Sequence, residues 1–244
     1  MKLGVINLEK KFKDFTAVNN VNFSIDEGQT LGVLGPNGCG KTTTIGMLLG
    51  LIKPTKGEIL INEENFDKLN RENILSNFNF ASPYVELPKK LTVKENLEIY
   101  GRLYGVKNLK ERIEEITEDL NLNTFKNKKT GELSSGQKNR VSLAKSLINK
   151  PKILFLDEPT ASLDPDIGDF VRKYIEEYKL KNKISILLAS HNMREVERLC
   201  DQVIMMKEGK IVDRGTCKSL INKHGRDNLE DTFLKIARNN YELE

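Results

Sequence analysis

The sequence predicts an α/β protein with a mostly parallel sheet, an antiparallel β-subdomain and an inserted α-helical subdomain. Three observations carry this. A glycine-rich segment, Gly35–Gly40, separates a short apolar run, Leu31–Leu34, from apolar residues at helical spacing. Two later runs, Lys152–Leu156 and Ile184–Ala189, are apolar enough for strands buried on both faces. Between Thr92 and Ile148 the apolar residues keep a helical period alone.

Each element follows in turn. Val5–Leu8 reads as a strand. Val18, Val21, Phe23 and Ile25 alternate with polar residues, as a half-buried strand requires. Asp26-Glu27-Gly28 turns the chain into the run Leu31–Leu34. Ile45, Leu48, Leu49 and Ile52 then mark one face of a helix, which Gly50 and Pro54 end. Gly57–Asn62 is a further strand. Val93, Leu97, Tyr100 and Tyr104 line a helix that Gly101 weakens, and Ile113, Ile116 and Leu120 line another. A third helix starts near Ser134 and carries Val141, Ala144, Leu147 and Ile148 inward. After the strand Lys152–Leu156, an amphipathic helix follows Pro165. Ile184–Ala189 is the next strand, Met193, Val196 and Leu199 line the next helix, with Cys200 on its apolar face and expected in the core. Val203–Met206 and Lys210–Val212 form a hairpin about Glu208-Gly209. The tail from Thr216 is polar and expected to hold two short helices. The expected organisation is one domain over 1–244. Residues 1–85 and 150–215 form a core with the β-subdomain, 86–149 form the helical subdomain, and 216–244 are a C-terminal tail.

Composition narrows the class. The chain has 244 residues, 38% of them hydrophobic and 30% charged, and its net charge is only +4. That is a globular composition, and the small basic excess does not argue for nucleic acid. No apolar run approaches the roughly 20 residues that span a bilayer, and the N-terminus turns polar at Asn7. The expected location is cytoplasmic, with a partner supplying any membrane span. Cys39, Cys200 and Cys217 have no metal-binding spacing.

The chemistry lies in a few stretches. Gly35-Pro36-Asn37-Gly38-Cys39-Gly40-Lys41-Thr42 has the spacing G-x-x-x-x-G-K-[ST], a phosphate-binding loop between strand and helix. Its N–H groups and the helix start favour an anion. Lys41 can reach terminal phosphates, and the Thr42 hydroxyl can ligate Mg²⁺. Leu154–Leu156 runs into Asp157-Glu158. A strand end of this kind sets Asp157 to hold Mg²⁺ and Glu158 to act near a γ-phosphate as base or as water-orienter. Leu133-Ser134-Ser135-Gly136-Gln137 precedes a helix, with Ser134 as N-cap and Gly136 allowing close backbone approach. His191, one of two histidines, follows Ser190 at another strand end.

In this order the stretches resemble the ATP-binding-cassette ATPases, the nucleotide-binding subunits of ABC transporters, over about residues 3–216. Gly35–Thr42 is similar to Walker A, Leu133–Gln137 to the LSGGQ signature, and Ile153–Glu158 to Walker B. Ser162–Pro165 resembles the D-loop and His191 the H-loop histidine. The resemblance implies a P-loop NTPase core of the ABC ATPase fold and ATP hydrolysis with Mg²⁺. ATP would lie between two subunits. Phe12 would stack on adenine, and Gly35, Pro36, Asn37, Gly38, Cys39, Gly40, Lys41, Thr42 and Thr43 would bind the nucleotide from one side. Ser134, Gly136 and Gln137 would close it from a second ATP-binding subunit. Glu158, His191 and Lys41 would be catalytic, Glu158 polarising the attacking water. Thr42, Asp157 and Ser82 would serve the metal, and Asp164 would link the two sites. A separate transmembrane permease would hold the chain at the inner face of the membrane. Two positions depart from the pattern. Phe78–Leu87 lacks the family's glutamine, with Ser82 or Pro83 in its place, and Ser135 replaces a signature glycine.

The contexts of Pro36–Gly38 and Leu163–Pro165 look most like export systems. A soluble ABC ATPase acting on ribosomes or DNA is the rival reading. Against it stand the single cassette, the short span from Thr42 to Ser135 without sustained heptads, and the small charge. A small-molecule P-loop kinase would leave the signature, the acidic pair and His191 unexplained.

Overall fold

Sustained alternation of apolar and polar residues gives the longest strands. In the computed structural model, which describes residues 1–83, 85–161 and 163–238, β1 (Leu3–Phe12) and β2 (Phe15–Ile25) are longer than their apolar cores. They pair antiparallel from Leu3↔Ile25 to Phe12↔Phe15. A two-residue turn, Lys13-Asp14, closes the hairpin, with Lys13 in the left-handed region that such turns use. β1 also pairs with β4 (Lys56–Ile61), and β4 with the short β5 (Glu64–Asn65). This is the antiparallel four-stranded sheet, in the order β2-β1-β4-β5.

The chain divides into two units, Met1–Arg71 with the residues from Ser185 onward, and Glu72–Ile184. In the first, β3 (Thr30–Leu34) is buried along its whole length. It lies parallel to both β8 (Ser185–Ala189) and β9 (Gln202–Lys207). β10 (Lys210–Gly215) closes the Glu208-Gly209 hairpin antiparallel to β9. Helix α1 (Lys41–Leu48) follows β3, and α7 (Met193–Leu199) follows β8. The tail forms α8 (Cys217–His224) and α9 (Leu229–Arg238). Leu34, Val196, Val203, Met205, Leu220 and Leu229 share one core, so the tail helices are packed rather than appended. Residues 239–244 of the expected tail lie outside the described residues.

Cys200 lies at the margin of this core. It caps the C-terminal end of α7 and is only partly buried, yet it packs against the same core as expected. A Cβ on Gly32 would stand 2.8 Å from its sulfur, so Gly32 is what admits it.

In the second unit, α2 (Arg71–Leu75) leads into β6 (Phe78–Ala81), which pairs in parallel with β7 (Ile153–Asp157). Between these strands the chain makes α3 (Val93–Leu103), α4 (Leu109–Asp119) and α5 (Ser135–Leu147), and α6 (Pro165–Asn182) follows β7. Thr92 caps α3 through a full capping box with Glu95. Arg112 ties α4 to the end of α5. It is buried and donates to the Leu147 and Ile148 carbonyls at the C-terminal end of α5, the first of which also accepts from the Lys150 N–H. No helix of the described residues is long and apolar enough to cross a membrane.

Candidate active site

The first unit supplies the phosphate loop. β3 ends at Leu34 and α1 begins at Lys41, so the six residues from Gly35 to Gly40 make the whole connection. Gly40 is the N-cap of α1 at φ +108°, with its missing Cβ only 2.5 Å from the Ala17 carbonyl oxygen. No larger residue fits that conformation or that gap. The loop is braced from outside. The Gly209 N–H donates to the Cys39 carbonyl (3.1 Å), and Gly209 in turn accepts from the Asn19 N–H (2.8 Å). The turn at Gly209 is legible in the sequence, but its partner is not, since the two are far apart along the chain.

Lys41 is buried, and its ammonium donates to the carbonyls of Gly35 (2.6 Å) and Pro36 (3.2 Å). The charge is thus parked on the loop's own oxygens. Thr42 is exposed, Thr43 is half-buried, and Thr44 is buried with its hydroxyl on the Gly40 carbonyl (2.9 Å). Burial pushes the Cys39 thiol up, with the nearby Lys41 charge opposing. Cys39 is therefore a protonated, packed side chain.

Two further expected residues lie in this unit. Phe12 ends β1 and is 45% exposed, so it is no core residue. The Lys10 ammonium stands 4.8 Å from its ring centroid. His191 is exposed and follows Ser190, the residue after β8. Since β3 and β8 are parallel and aligned at Val33↔Ala189, His191 and the phosphate loop leave the sheet at the same edge.

The second unit carries the acids and the signature. Ala81 pairs with Leu156, so Ser82 and Asp157 leave their strands at the same level. Both are buried, as is Glu158. Glu158 has φ 55°, a left-handed backbone that a glutamate does not adopt without cost. Such an outlier next to a strand-end carboxylate is what a functional constraint produces.

Ser134 is the N-cap of α5, as its sequence position suggested. Its hydroxyl accepts from the Gln137 N–H (3.3 Å), and the Gln137 side chain accepts from the Ser134 N–H (3.1 Å). Gly136 is buried, and a Cβ there would lie 3.1 Å from Ile167 on α6. A larger residue would need the tip of Ile167 to give by a few tenths of an ångström. Ser134 and Ser135 are exposed. Ser162 of the expected D-loop lies outside the described residues, and Asp164 is the N-cap of α6 ahead of Pro165. Between the segment after Ser82 and the start of α5 opens a cavity of about 270 Å³. Pro83, Val85, Leu133, Ser135, Lys138 and Ser142 are among its walls.

Comparison with known proteins gives the family. Residues 18–161 match the model of the ABC transporter family. The ABC transporter ATP-binding protein NatA of Bacillus subtilis is 34% identical over 238 residues, covering 94% of either chain. The Nod factor export ATP-binding protein I of a Rhizobium species is 34% identical over 227 residues, covering 91% of this chain and 73% of its own. A dimeric ATP-binding cassette in a post-hydrolysis state, bound to ADP and Pi, superposes with a TM-score of 0.81. It is 26% identical, and the match covers 88% of this chain and 98% of the other. Strand, loop, acids and signature occur here in one chain with this likeness along its length, and the chain belongs to the ABC transporter family as an ATP-binding, ATP-hydrolysing subunit.

Proposed function

We infer that the chain hydrolyses ATP to drive a separate membrane permease, in the export direction, while held at the cytoplasmic face by that permease. The observation that carries the hydrolytic part is Glu158, a buried glutamate kept in a left-handed backbone directly after Asp157. The relative named for Nod factor export supports the direction.

The residues divide the work. Phe12 offers an exposed ring for the adenine base to stack on. Gly35 to Thr43 wrap the phosphates with N–H groups. The Lys41 ammonium exchanges the Gly35 and Pro36 carbonyls for phosphate oxygens, so its charge is already aimed at the loop's interior. Ser134, Gly136 and Gln137 of a second ATP-binding subunit close the other side. The Ser134 hydroxyl accepts within its cap, which leaves its proton to donate to a phosphate. Glu158 takes the proton of the attacking water, and His191 hydrogen-bonds the γ-phosphate. Both sides therefore place donors or a base where negative charge builds.

The donor set fits Mg²⁺. Thr42, Ser82 and Asp157 present only hard oxygens, and Mg²⁺ is held by one or two carboxylates with substrate phosphates and waters. When bound, Mg²⁺ neutralises charge on the phosphates. Ser82 is shorter than the glutamine usual at this position, so its hydroxyl would serve the metal through a water. The cavity beside Ser82 joins apolar Pro83 and Val85 to Lys138, a suitable seat for a short helix of the permease.

The test is Glu158→Gln. ATP binding should persist and a nucleotide-bound dimer should accumulate, while phosphate release drops to background. Hydrolysis near the wild-type rate removes Glu158 from its role.

A further inference from the structure

Lys145 is a cation that the hydrolytic chemistry does not use. It sits in the last turn of α5, half-buried, and no carboxylate pairs with it among the described residues. Its ammonium donates to the Phe80 carbonyl (3.1 Å) and to Asn79 Oδ1 (3.3 Å). It also stands 5.3 Å from the ring centroid of Tyr100. Asn79, itself buried, answers with bonds to the Lys145 carbonyl (3.3 Å) and to Asn149 Oδ1 (2.8 Å). One side chain thereby joins three elements. These are α5, which starts at the signature, β6, whose last residue precedes Ser82, and α3, which carries Tyr100.

The arrangement is expensive. Burial pushes the Lys145 ammonium down to about 8. Tyr100 is the titratable group facing it from α3. β6 offers an amide and a carbonyl, and no acidic or basic side chain of α5 is bonded to it among the described residues. A methionine of similar length would avoid this desolvation cost, but could make none of the hydrogen bonds to β6. Charged hydrogen bonds are about twice as strong as neutral ones, which suits a tie that must hold under load.

We propose that Lys145 is a positioning residue that binds the strand entering Ser82 to the helix carrying Ser134–Gln137, so that the two shift as one body when the nucleotide is gripped. This rests on the reading of the signature as the second half of the ATP site. A shift at Ser82 then reaches Ser134 without loss, and a loose Lys145 would leave the signature misplaced although the phosphate loop still binds ATP.

The experiment uses the full chain with Lys145→Met and Lys145→Arg. Lys145→Met should leave KM for ATP within about twofold and lower kcat roughly tenfold, the size of loss that a misplaced group causes. Lys145→Arg should restore kcat to within about twofold. Wild-type kcat should fall as pH rises through about 8, and the Arg variant should show no such fall. Stability should move the other way. Between about 8 and the usual 10.5 the folded chain holds fewer protons on Lys145 than the unfolded chain, so this group adds stability as pH rises. A merely structural lysine would make kcat follow stability. Ser134→Ala is the control, read as ATP-driven dimerisation in a Glu158→Gln background. If Ser134→Ala dimerises normally, the signature reading fails, and this proposal fails with it. If Ser134→Ala blocks dimerisation but Lys145→Met keeps full kcat, the tie alone is refuted. If Lys145→Met does not fold, an unchanged pH profile in Lys145→Arg refutes it.

Discussion

The phosphate loop and the Ser82–signature region are held mainly by different means. Around the loop, backbone does most of the bracing: Gly40 leaves no room for a Cβ beside the Ala17 carbonyl, and the Gly209 N–H clasps the Cys39 carbonyl, while the Lys41 and Thr44 side chains bond the loop's own carbonyls. In the other region, side chains do it. Ser134 and Gln137 cap α5, Asn79 and Lys145 bind β6 to it, and Arg112 ties α4 to its end. Backbone contacts have few alternative arrangements, whereas long side chains have many rotamers. The phosphate loop is thus fixed largely by where its backbone can go, and the second region by which side-chain contacts form.

The comparison can be broken most forcefully at the acids. Glu158→Gln should lower turnover by about 10²–10⁴ with ATP affinity retained, as measured by phosphate release and calorimetry. On the proposed role the effect is that of a single base, so only a small loss of turnover would show that the region around it, and not Glu158, carries the step. Next in size is Lys41→Ala. Losing a charged donor costs about 1.5–3 kcal/mol, so ATP affinity should drop roughly 10- to 100-fold. Unchanged affinity by calorimetry would detach Lys41 from the phosphates.

Gly40→Ala tests rigidity itself. A left-handed backbone costs a residue with a Cβ about 1–2 kcal/mol, and the Ala17 carbonyl adds a clash. Thermal unfolding should come several degrees lower, and ATP binding should weaken. A neutral result would mean that the loop gives way like its counterpart. The smallest effect is expected at Asp213→Asn, far along the chain from the loop but in the same unit. Burial alone would raise the Asp213 carboxyl, yet bonds from Lys223 (2.7 Å) and His224 (2.6 Å) hold it below its ordinary value of 3.8. Its contribution is therefore present above pH 3.8 and lost as pH falls further toward the lowered folded value. The variant should melt about 3 °C lower near pH 7, and the difference should vanish in strong acid.

Much of the fold and of the site is legible in the amino-acid sequence. The helix caps at Thr92 and Ser134 are local, since donor and acceptor lie three residues apart, and both form as their spacing requires. The strand ends at Asp157 and His191 are likewise visible, because an apolar run that stops at polar residues marks a sheet edge. The short β5 and α2 escape, having too few residues for a period to show. So does the left-handed backbone of Glu158, which no propensity suggests. The exposure of Phe12 is open too, as the same ring could end a strand inside a core or outside one.

The order of residues by itself determined the phosphate loop, the acidic strand end, the capped signature helix and the α/β class, because each depends on spacing within a few residues. Only the tertiary structure decided what Lys145 holds and what braces Cys39. Phe80 lies 65 residues from Lys145, and Gly209 reaches Cys39 only after β9 has paired with β3. Such contacts are set by how strands and helices pack, and packing chooses among partners that local spacing leaves equal.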